Sequence, residues 1–449
     1  MKSKKPKALA EVLFKPMIDW VTDAAEAGGV NDICVVTGHG REMLEEHLGG
    51  KYETVVQTER LGTGHAVMQA KSFLEKHIPG NVLILSGDAP LMDAQTISSA
   101  LEYHTTHRNA VTVISARVEN PKGYGRIIRD KNDKLKKIVE EKEATAVEKM
   151  VDEVNSSAYW FDTSVLLESL DGIVELHDKK GDCKEYYLTD AVEVIMKKGL
   201  NAVAYIAGSS DVVLGANDRA QLLDLNEIAR KKVLYKNMVS GVSVPCADGV
   251  IIGPEAKIGA DTVILPGTVI KGNTVIGGDC TIGPNSWIED SEIGDGVELN
   301  NTQCFSSRIC DGTKVGPFVR IRPNCVVGEK VKIGNFVELK NANVGDKTSV
   351  AHLTYIGDAD FGKNINVGCG CATVNYTGKE KFRSKVEDNA FIGCSTYLVA
   401  PVQVGKNSYT AAGSVITEDV PENSLAIARA RQVVKKDWVT KKKPYKWQK

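Results

Sequence analysis

The sequence lacks the features that mark membrane, secreted and zinc-ribbon proteins. No stretch approaches the roughly 18 uninterrupted apolar residues that a membrane-spanning helix requires, and no apolar run follows the basic first residues as it does in a secretory signal. The ten cysteines include no C-x-x-C pair, so neither a zinc ribbon nor a dense disulfide framework is indicated. Reduced thiols in a cytoplasmic protein are the simplest interpretation.

The sequence also lacks an excess of charge of either sign. Its 449 residues carry a formal net charge of −2, with 42% apolar and 25% charged residues. A bulk affinity for nucleic acid or for membranes is therefore not implied, and the length predicts two or three domains. The basic tail KKKPYKWQK is expected to be a solvated terminus.

A third absence concerns the start of the chain. It opens MKSKKPKALAEVLFKPMIDWVTDAAEAGG, a basic stretch that leads directly into the pattern of an amphipathic helix. From about residue 30 to 230, short β-rich runs such as DICVVTG, NVLILSGD and AVTVISARV alternate with helical segments, which predicts an α/β domain with buried strands in a mostly parallel sheet. Such a domain ordinarily begins with an apolar strand and a glycine-rich turn, and neither precedes the helix.

Beyond Gly249, apolar residues recur at every sixth position. This period fits neither a helix nor an alternating strand, and it indicates a repeat in which each hexapeptide supplies one short strand and one turn. Stacked rungs point the recurring residue inward and are stabilised by their neighbours. The pattern resembles the left-handed parallel β-helix, an exception to the right-handed crossover preference. The recurring residues are Ile252, Ile258, Ile264, Ile270, Ile276, Ile282 and Ile288, then Ile309, Val315, Ile321, Val327, Ile333 and Leu339, then Val344, Val350 and Ile356, and finally Val386, Ile392, Leu398 and Val404.

The repeat is interrupted between Val374 and Val386 by NYTGKEKFRSK. This segment is too polar for a buried rung and is expected to leave the coil as a loop, a common place for binding. Polar residues of a few neighbouring rungs accompany the loop. Cations there can hold phosphates, and a neutral imidazole can accept a proton from an attacking amine. These residues are Arg320, Arg322, Lys340, His352, Tyr355, Asn366 and Asn375.

Motifs in both halves resemble those of one bacterial family. AHLTYIGD, GNFVELK and NYTG in the repeat, and QTERLGTGHAV, LSGDAPL, GYGRIIR, IVEEKEAT, EVNSSAYWF and LGANDRAQL in the first half, are similar to motifs of the bifunctional N-acetylglucosamine-1-phosphate uridyltransferase/glucosamine-1-phosphate acetyltransferases. The likeness covers nearly the whole chain. It implies an α/β, Rossmann-like nucleotidyltransferase domain over residues 1–221, a helical linker over 222–242, and a left-handed parallel β-helix with a C-terminal tail over 243–449.

For the first half, the resemblance implies that a sugar 1-phosphate oxygen attacks the α-phosphate of UTP and that pyrophosphate leaves, a reaction that requires positioned charge. It implies that Asp88 and Asn217, both hard oxygen donors, are ligands of Mg²⁺, and that Lys7 neutralises phosphate. The matching uracil-binding residues are Gln57, Gly62 and Thr63, and those of the sugar pocket are Gly125, Glu140 and Asn155.

For the second half, the resemblance implies direct acetyl transfer from acetyl-CoA to the amine of glucosamine 1-phosphate, with His352 as the general base. Arg322 and Lys340 would grip the sugar phosphate, and Tyr355 and Asn366 would line the sugar site. The residues that match positions around the CoA thioester, nucleotide or pantetheine arm are Cys369, Asn375, Tyr376, Cys394, Ala412 and Arg429.

The chain departs from the family pattern in two respects. Cys369 and Cys394 stand where the family has small residues, and Cys371 where it usually has threonine. An oxidisable cluster is the favoured interpretation, with a metal site as the alternative. Family members also begin with an apolar strand and a glycine-rich loop that cradles nucleotide phosphates and ends in the methionine that aligns with Met1. The sequence as given is therefore expected to retain acetyltransferase activity and to have poor or no uridyltransferase activity.

Two other functions stay open. One is a related sugar-1-phosphate nucleotidyltransferase, such as a glucose-1-phosphate adenylyltransferase, whose regulatory β-helical tail needs no base. The other is a noncatalytic trimeric scaffold or nucleotide-sugar sensor. The family resemblance further implies a homotrimer with the acetylation site between subunits, small-molecule substrates without nucleic acid or membrane insertion, and a role in peptidoglycan and lipopolysaccharide biosynthesis.

Overall fold

The computed structural model describes residues 3–180 and 185–444. Contacts divide the chain into two compact units, Met1–Lys231 and Lys232–Lys449, and the boundary falls within one long helix. Each unit has its own apolar core. Among the described residues, no helix is both long and apolar enough to cross a bilayer.

The first unit alternates helices with short strands, as the sequence predicts. Its α-helices are α1 Met17–Ala27, α2 Arg41–Leu48, α3 Thr63–Gln69, α4 Lys71–Glu75, α5 Ala94–Thr106, α6 Thr163–Lys180, α7 Leu188–Lys197 and α8 Arg219–Val239, of which α8 crosses the boundary. Its strands are β1 Glu11–Val12, β2 Lys15–Pro16, β3 Cys34–Thr37, β4 Glu53–Val56, β5 Asn81–Ile84, β6 Val111–Arg117, β7 Arg126–Arg129, β8 Leu135–Val139, β9 Glu153–Asp162 and β10 Ala202–Ile206. Short 3₁₀ helices span Lys7–Leu9, Glu148–Met150 and Ser210–Val213.

The main sheet of the first unit has six strands in the order β10-β6-β9-β7-β8, with β5 also paired to β9. β10 and β6 are parallel, whereas β9 pairs antiparallel with β5, β6 and β7. The prediction of a mostly parallel sheet is therefore wrong for this sheet. Apolar runs indicate that a strand is buried on both faces but carry no information on its direction. β3 and β4 form a separate parallel pair.

A bulge in β9 positions one of the predicted site residues. The pairing with β6 moves from Ala158 opposite Ile114 to Asn155 opposite Ser115, so β9 carries extra residues at this point. Ser157, inside the bulge, has φ +59°, and its N–H donates to Oδ1 of Asn155 over 3.1 Å. Bulges of this kind redirect a side chain, and here the affected residue is Asn155.

The second unit is a stack of short parallel strands followed by α9 Trp438–Lys442. The strands are β11 Ile251–Ile252, β12 Lys257–Ile258, β13 Val263–Ile264, β14 Val269–Lys271, β15 Val275–Ile276, β16 Thr281–Ile282, β17 Trp287–Glu289, β18 Glu292–Ile293, β19 Glu298–Leu299, β20 Thr302–Phe305, β21 Arg308–Ile309, β22 Lys314–Val315, β23 Val319–Ile321, β24 Val326–Val327, β25 Lys332–Asn335, β26 Glu338–Val344, β27 Ser349–His352, β28 Tyr355–Phe361, β29 Asn366–Val367, β30 Ala372–Val374, β31 Ser384–Val386, β32 Phe391–Ile392, β33 Tyr397–Val399, β34 Gln403–Val404, β35 Tyr409–Thr410, β36 Val415–Ile416 and β37 Leu425–Ala426.

Three hexapeptides make one turn of the coil. Ile252 pairs with Ile270, and Ile258 pairs with Ile276, so each strand lies against the strand three hexapeptides further along. Every residue predicted at the six-residue spacing lies in one of these strands, and all are buried except Ile258, which is partly exposed. Alternate residues face outward. The left-handed parallel β-helix predicted from the period is the fold of this unit.

One corner of the coil repeats the same backbone geometry in successive rungs. Phe336, Leu353, Gly370, Ser395 and Gly413 all have positive φ, between +45° and +74°. Only two of the five are glycine, although positive φ is uncommon for larger residues. The stacked rungs therefore impose this conformation on residues that do not prefer it.

The residues that precede these corner positions form a stacked column, termed the turn column. Its members are Asn335, His352, Cys369, Cys394 and Ala412. The N–H that follows each later member donates to the carbonyl oxygen of the member one rung earlier, over 2.7–3.3 Å. The turn column therefore holds its side chains in register along one corner.

The polar interruption of the repeat leaves the coil between β30 and β31, as predicted. Residues 375–383 form a small hairpin in which Tyr376 bridges Lys381. At its end, the Arg383 guanidinium donates to Asp360 on β28, with Nη2 2.6 Å from Oδ1. The loop is thus anchored to a neighbouring rung.

Adjacent outward and inward residues of β15 offer a matched test of the core. We expect Ile276→Ala to lower the free energy of unfolding by about 2–5 kcal/mol, because this buried side chain leaves a cavity in the stack. Val275→Ala, at a side chain that is 44% exposed, is expected to change it by less than about 0.5 kcal/mol. Urea unfolding of both variants measures the difference. An equal loss of the free energy of unfolding in the two variants would contradict the assignment of Ile276 as the inward residue.

Candidate active sites

A lysine, an aspartate and an asparagine from distant parts of the first unit meet at one point. Lys7 lies in a 3₁₀ helix, Asp88 in the loop after β5, and Asn217 just before α8. The Lys7 ammonium forms an ion pair with the Asp88 carboxylate and donates to Oδ1 of Asn217 over 2.7 Å. Ser86 Oγ donates to the other carboxylate oxygen of Asp88 over 2.6 Å. The structure brings together three of the residues predicted from the sequence.

These oxygen donors suit a magnesium ion. Because Asp88 and Asn217 both reach the single ammonium of Lys7, one small cation can be approached by both oxygens. No group of three or more His, Cys, Asp or Glu residues able to hold a metal is found within residues 3–180 and 185–444. A site with two protein oxygens fits Mg²⁺, because this ion keeps several waters and takes further ligands from substrate phosphates.

The predicted uracil-binding segment is held together by its own contacts. Gln57 Nε2 donates to the carbonyl oxygen of Gly62 over 3.0 Å, and Thr63 Oγ1 accepts from the N–H of Leu188 over 3.0 Å. Gly62 has φ +103°, and a Cβ there would lie 2.5 Å from the carbonyl oxygen of Tyr186. A side chain at this position is therefore excluded by both strain and space.

The three residues predicted for the sugar pocket also lie together. Gly125, Glu140 and Asn155 line part of a cavity of about 840 Å³ in the first unit. The Asn155 N–H donates to the Gly125 carbonyl over 2.9 Å, and a Cβ at Gly125 would lie 3.5 Å from the Glu140 carboxylate. Asn155 Nδ2 donates to the Tyr159 hydroxyl over 2.6 Å, which fixes the amide at the bulge of β9.

Burial raises the pKa of Glu140, because the cavity wall limits hydration of the charged carboxylate. Thr189 Oγ1 donates to Glu140 Oε1 over 3.2 Å and opposes this shift. Thr189 lines the same cavity, and the sequence reasoning missed it. A threonine near the start of a helix resembles an ordinary first-turn residue, and no spacing signal connects it to a glutamate just after the distant strand β8.

In the second unit, two predicted phosphate-binding cations lie on neighbouring rungs beside carboxylates. Arg322 Nη1 donates to Glu338 Oε1 over 3.0 Å, and Lys340 Nζ lies 3.7 Å from Asp358 Oδ2. Tyr355 lies opposite Glu338 on the next rung. The structure therefore places both cations and the predicted sugar-site tyrosine on one face of the coil.

The carboxylate beside Lys340 is a contact that the sequence reasoning missed. Although burial disfavours the charged form of Asp358, hydrogen bonds from Asn341 and Asn375 and the charge of Lys340 lower its pKa. Asn341 Nδ2 donates over 2.6 Å, and Asn375 Nδ2 contacts the other carboxylate oxygen. Asn375, predicted near CoA, thus lies beside the proposed phosphate-binding cations. Asp358 has φ +47°, a conformation in which aspartate is enriched. Its residue type was therefore the sequence signal that could have drawn attention to this position.

The predicted base, His352, ends β27 with its side chain exposed. Asn335 lies opposite it on the preceding rung, and Nδ1 of His352 is 3.3 Å from Oδ1 of Asn335. Because an amide oxygen only accepts hydrogen bonds, a neutral imidazole that makes this contact carries its proton on Nδ1 and its lone pair on Nε2. A neutral imidazole of this tautomer can accept a proton. Asn335 was not predicted as a site residue, although it lies in the GNFVELK motif, because the motif does not indicate that it contacts His352.

Three predicted cofactor-binding residues share the turn column with His352. They are Cys369, Cys394 and Ala412, which follow it on successive rungs. Arg429 lies at the far end of the column, since a Cβ on the glycine after Ala412 would be 3.8 Å from its Cδ. The structure therefore aligns these residues along one corner.

The two remaining predicted residues have different surroundings. Asn366 is exposed on β29, between Ser349 and Phe391 of the neighbouring rungs, and lies on the same rung as Cys369. Tyr376 lies in the inserted hairpin, where its hydroxyl donates to the carbonyl of Gly378 over 2.6 Å.

Cys371, which lies outside the turn column, is buried. Burial raises the pKa of the Cys371 thiol to about 11. The Cys371 Sγ donates to the Gly393 carbonyl over 3.1 Å. In the described part of the chain, no group of three His, Cys, Asp or Glu residues is arranged to hold a metal. The described structure therefore gives no support to the alternative of a metal site formed by Cys369, Cys371 and Cys394.

Family models match both units. Residues 2–212 match a nucleotidyl transferase model, and residues 255–290 and 306–341 match a bacterial transferase hexapeptide model of six repeats.

Relatives match along nearly the full length of the chain. The bifunctional protein GlmU of Acetivibrio thermocellus is 45% identical over 98% of this chain and 95% of its own length. The protein of the same name from Caldanaerobacter subterraneus is 48% identical over 98% of this chain and 94% of its own length, and that of Clostridioides difficile is 45% identical over 98% and 95%. These identities, together with a nucleotidyl transferase match in one unit and hexapeptide matches in the other, show that the chain belongs to the bifunctional GlmU family.

Proposed function

We propose that the two activities of the GlmU family are divided between the two units. The β-helix transfers acetyl from acetyl-CoA to glucosamine 1-phosphate, and the nucleotidyltransferase unit then transfers uridylyl from UTP to the N-acetylglucosamine 1-phosphate that results. This proposal replaces the expectation of poor or no uridyltransferase activity, because the match of residues 2–212 to a nucleotidyl transferase model supports that activity. The match of a nucleotidyl transferase model to one unit and of hexapeptide models to the other supports this division. The observation that carries the acetyl-transfer assignment is the Asn335–His352 pair on the turn column.

In acetyl transfer, the amine of the sugar attacks the thioester carbonyl while Nε2 of His352 takes a proton from the amine, and the C–S bond then breaks so that CoA leaves as its thiol. Asn335 holds the imidazole in the tautomer that leaves Nε2 as the acceptor. Arg322 and Lys340 bind the sugar phosphate, and their carboxylate neighbours keep the two side chains in place. The backbone N–H of Cys369 is proposed to stabilise the oxyanion that forms on the thioester.

In uridylyl transfer, the phosphate oxygen of the sugar attacks the α-phosphate of UTP and pyrophosphate leaves. Lys7 neutralises phosphate charge, and Asp88 and Asn217 would hold Mg²⁺. The chemistry that this ion supplies when bound is neutralisation of the charge that develops on the phosphates. Gln57, Gly62 and Thr63 bind the uracil, and the pocket formed by Gly125, Glu140 and Asn155 binds the sugar hydroxyls.

We further propose a homotrimer with the acetylation site between copies. A stripe of exposed apolar side chains supports this proposal: Phe318, Phe336 and Leu353 are 57%, 56% and 61% exposed along the corner that contains the turn column. Phe318 and Phe336 stack at 5.5 Å, and exposed stripes of this kind mark association surfaces. Leu353 directly follows His352, so a copy packed there would also border the base. The use of UTP and acetyl-CoA supports a cytoplasmic location.

Removing the proposed base tests the acetyl-transfer site. We expect His352→Gln to lower the rate of acetyl transfer by about 10²–10⁴-fold, because general-base catalysis is lost, and to leave uridylyl transfer unchanged. Thiol release from acetyl-CoA and pyrophosphate release from UTP measure the two reactions in the same preparation. Acetyl transfer at an undiminished rate would contradict the assignment.

Removing the charge at the proposed magnesium site tests the first unit. Asp88→Asn is expected to lower uridylyl transfer by roughly 10²–10³-fold through loss of charge stabilisation, with acetyl transfer as the internal reference. Glu102→Gln removes an exposed carboxylate from α5 of the same unit and should leave both rates unchanged. If uridylyl transfer by Asp88→Asn depended on the Mg²⁺ concentration as that of the original protein does, Asp88 would not be a ligand of the ion.

The raised pKa of Glu140 predicts a pH dependence of stability. Its folded-state pKa lies above the unfolded value, so the native state binds more protons and stability falls as the pH rises through the interval between them. Glu140→Gln is therefore expected to raise the melting temperature near neutral pH and to have less effect near about pH 4. Thermal scans across this range, with Glu102→Gln as the control, measure the effect. A rise in melting temperature of the same size at every pH would show that the raised pKa of Glu140 is not its cause.

A further inference from the structure

Two cysteines occupy consecutive positions of the turn column, on the rungs that follow His352. Val367 of β29 lies opposite Ile392 of β32, and the same offset places Cys369 opposite Cys394. The N–H that follows Cys394 donates to the carbonyl of Cys369 over 2.7 Å, so the pairing continues through the corner. The two side chains therefore leave the coil from adjacent points on the same edge.

The spacing of the rungs suits a bond between these side chains. Neighbouring parallel strands lie about 4.7–4.9 Å apart, and a disulfide requires a Cα separation of roughly 4.4–6.8 Å. The backbones also approach closely here, since a Cβ placed on Gly368 would lie 2.5 Å from the backbone nitrogen of Cys394. A disulfide requires the two Cβ atoms to lie within about 3.5–4.5 Å of each other. The residues at this corner would therefore have to move by roughly 1 Å or less for the bond to form.

Exposure distinguishes this pair from the other neighbouring cysteines. Cys394 is exposed and Cys369 is partly exposed, whereas Cys304 and Cys325 are buried in the apolar core of the coil. Cys371 is buried too, and its raised pKa disfavours the thiolate. A dissolved oxidant can therefore reach Cys369 and Cys394 without opening the coil.

We propose that Cys369 and Cys394 form a reversible oxidation site for peroxides. Cys394, the more exposed thiol, loses its proton and attacks the O–O bond, which gives a sulfenic acid and water. The thiol of Cys369 then attacks that sulfur and expels a second water. Overall, two thiols and one hydrogen peroxide give one disulfide and two waters, and a dithiol reductant reverses the change.

The disulfide lowers acetyl transfer, a consequence that rests on the proposed function of His352. Cys369 is the next member of the turn column after His352, and the N–H that follows it donates to the His352 carbonyl over 3.3 Å. A displacement of about 1 Å at this rung is transmitted directly to the base, and misplacement on that scale can cost up to about 10²-fold in rate. The bridge also draws together the two side chains proposed to face the acetyl donor. The first unit contains neither cysteine, so uridylyl transfer is unaffected.

The test treats the full-length protein with hydrogen peroxide and then with dithiothreitol. Peptide mass mapping under non-reducing conditions should recover the Cys369 and Cys394 peptides as one linked species within a single chain. Acetyl transfer should fall by about tenfold or more while uridylyl transfer stays constant, and dithiothreitol should restore it. Cys394→Ser should show equal acetyl transfer before and after peroxide, each measured against its own untreated sample. Cys310→Ser, a partly exposed cysteine on another rung, should be inactivated like the original protein.

Each part of the proposal has its own contrary result. Absence of the linked peptide, or a link between two chains, overturns the oxidation site. A linked peptide with unchanged acetyl transfer overturns the coupling to His352. If the reduced protein shows no acetyl transfer at all, the proposed function fails, and the peptide map still decides whether the thiol site exists.

Discussion

Register between stacked rungs is the constraint from which the chemistry of the second unit follows. Inward residues lie on the inward residues one turn earlier, as Ile270 does on Ile252 and Val350 on Ile333. The pairing of the strands leaves the outward residues no freedom to slide. A one-residue slip would exchange inward and outward faces along the whole stack. Residues far apart in sequence, such as Asn335 and Cys394, therefore occupy fixed positions on one line with His352. The apolar core thus has a direct role in placing the base.

The two sites use charge in different ways. In the first unit, Lys7 reaches the oxygens of Asp88 and Asn217, so charged groups are concentrated where phosphates and a metal ion are proposed to bind. In the second unit, carboxylates lie beside Arg322 and Lys340, and the amide oxygen of Asn335 lies beside Nδ1 of His352. The first arrangement suits displacement at phosphorus, and the second suits removal of a proton from an amine.

The sequence predicted the structure correctly where a repeat spacing or a motif indicated which residues are buried. The six-residue spacing predicted the coil, its inward residues and a loop between Val374 and Val386, of which residues 375–383 leave the coil and 384–385 begin β31. Strand direction in the first unit was not predictable, since an apolar stretch such as residues 158–161 of β9 indicates only that the strand is buried. The contacts of Thr189 with Glu140 and of Asn335 with His352 were also invisible, because each joins ordinary polar residues through the fold. The meeting of Lys7, Asp88 and Asn217 was expected only through resemblance to a family.

The repeated positive-φ corner also bears on how such a coil acquires new features. The rungs with this corner geometry lie on both sides of a change in chain length, so such a change can occur between rungs while the rungs above and below stay paired. The hairpin at 375–383 is one such excursion, and β30 and β31 on either side of it still pair with their neighbours. Insertions or deletions confined to places where the chain leaves the coil should therefore be tolerated in evolution and in engineering, while a single residue gained within a strand would not be.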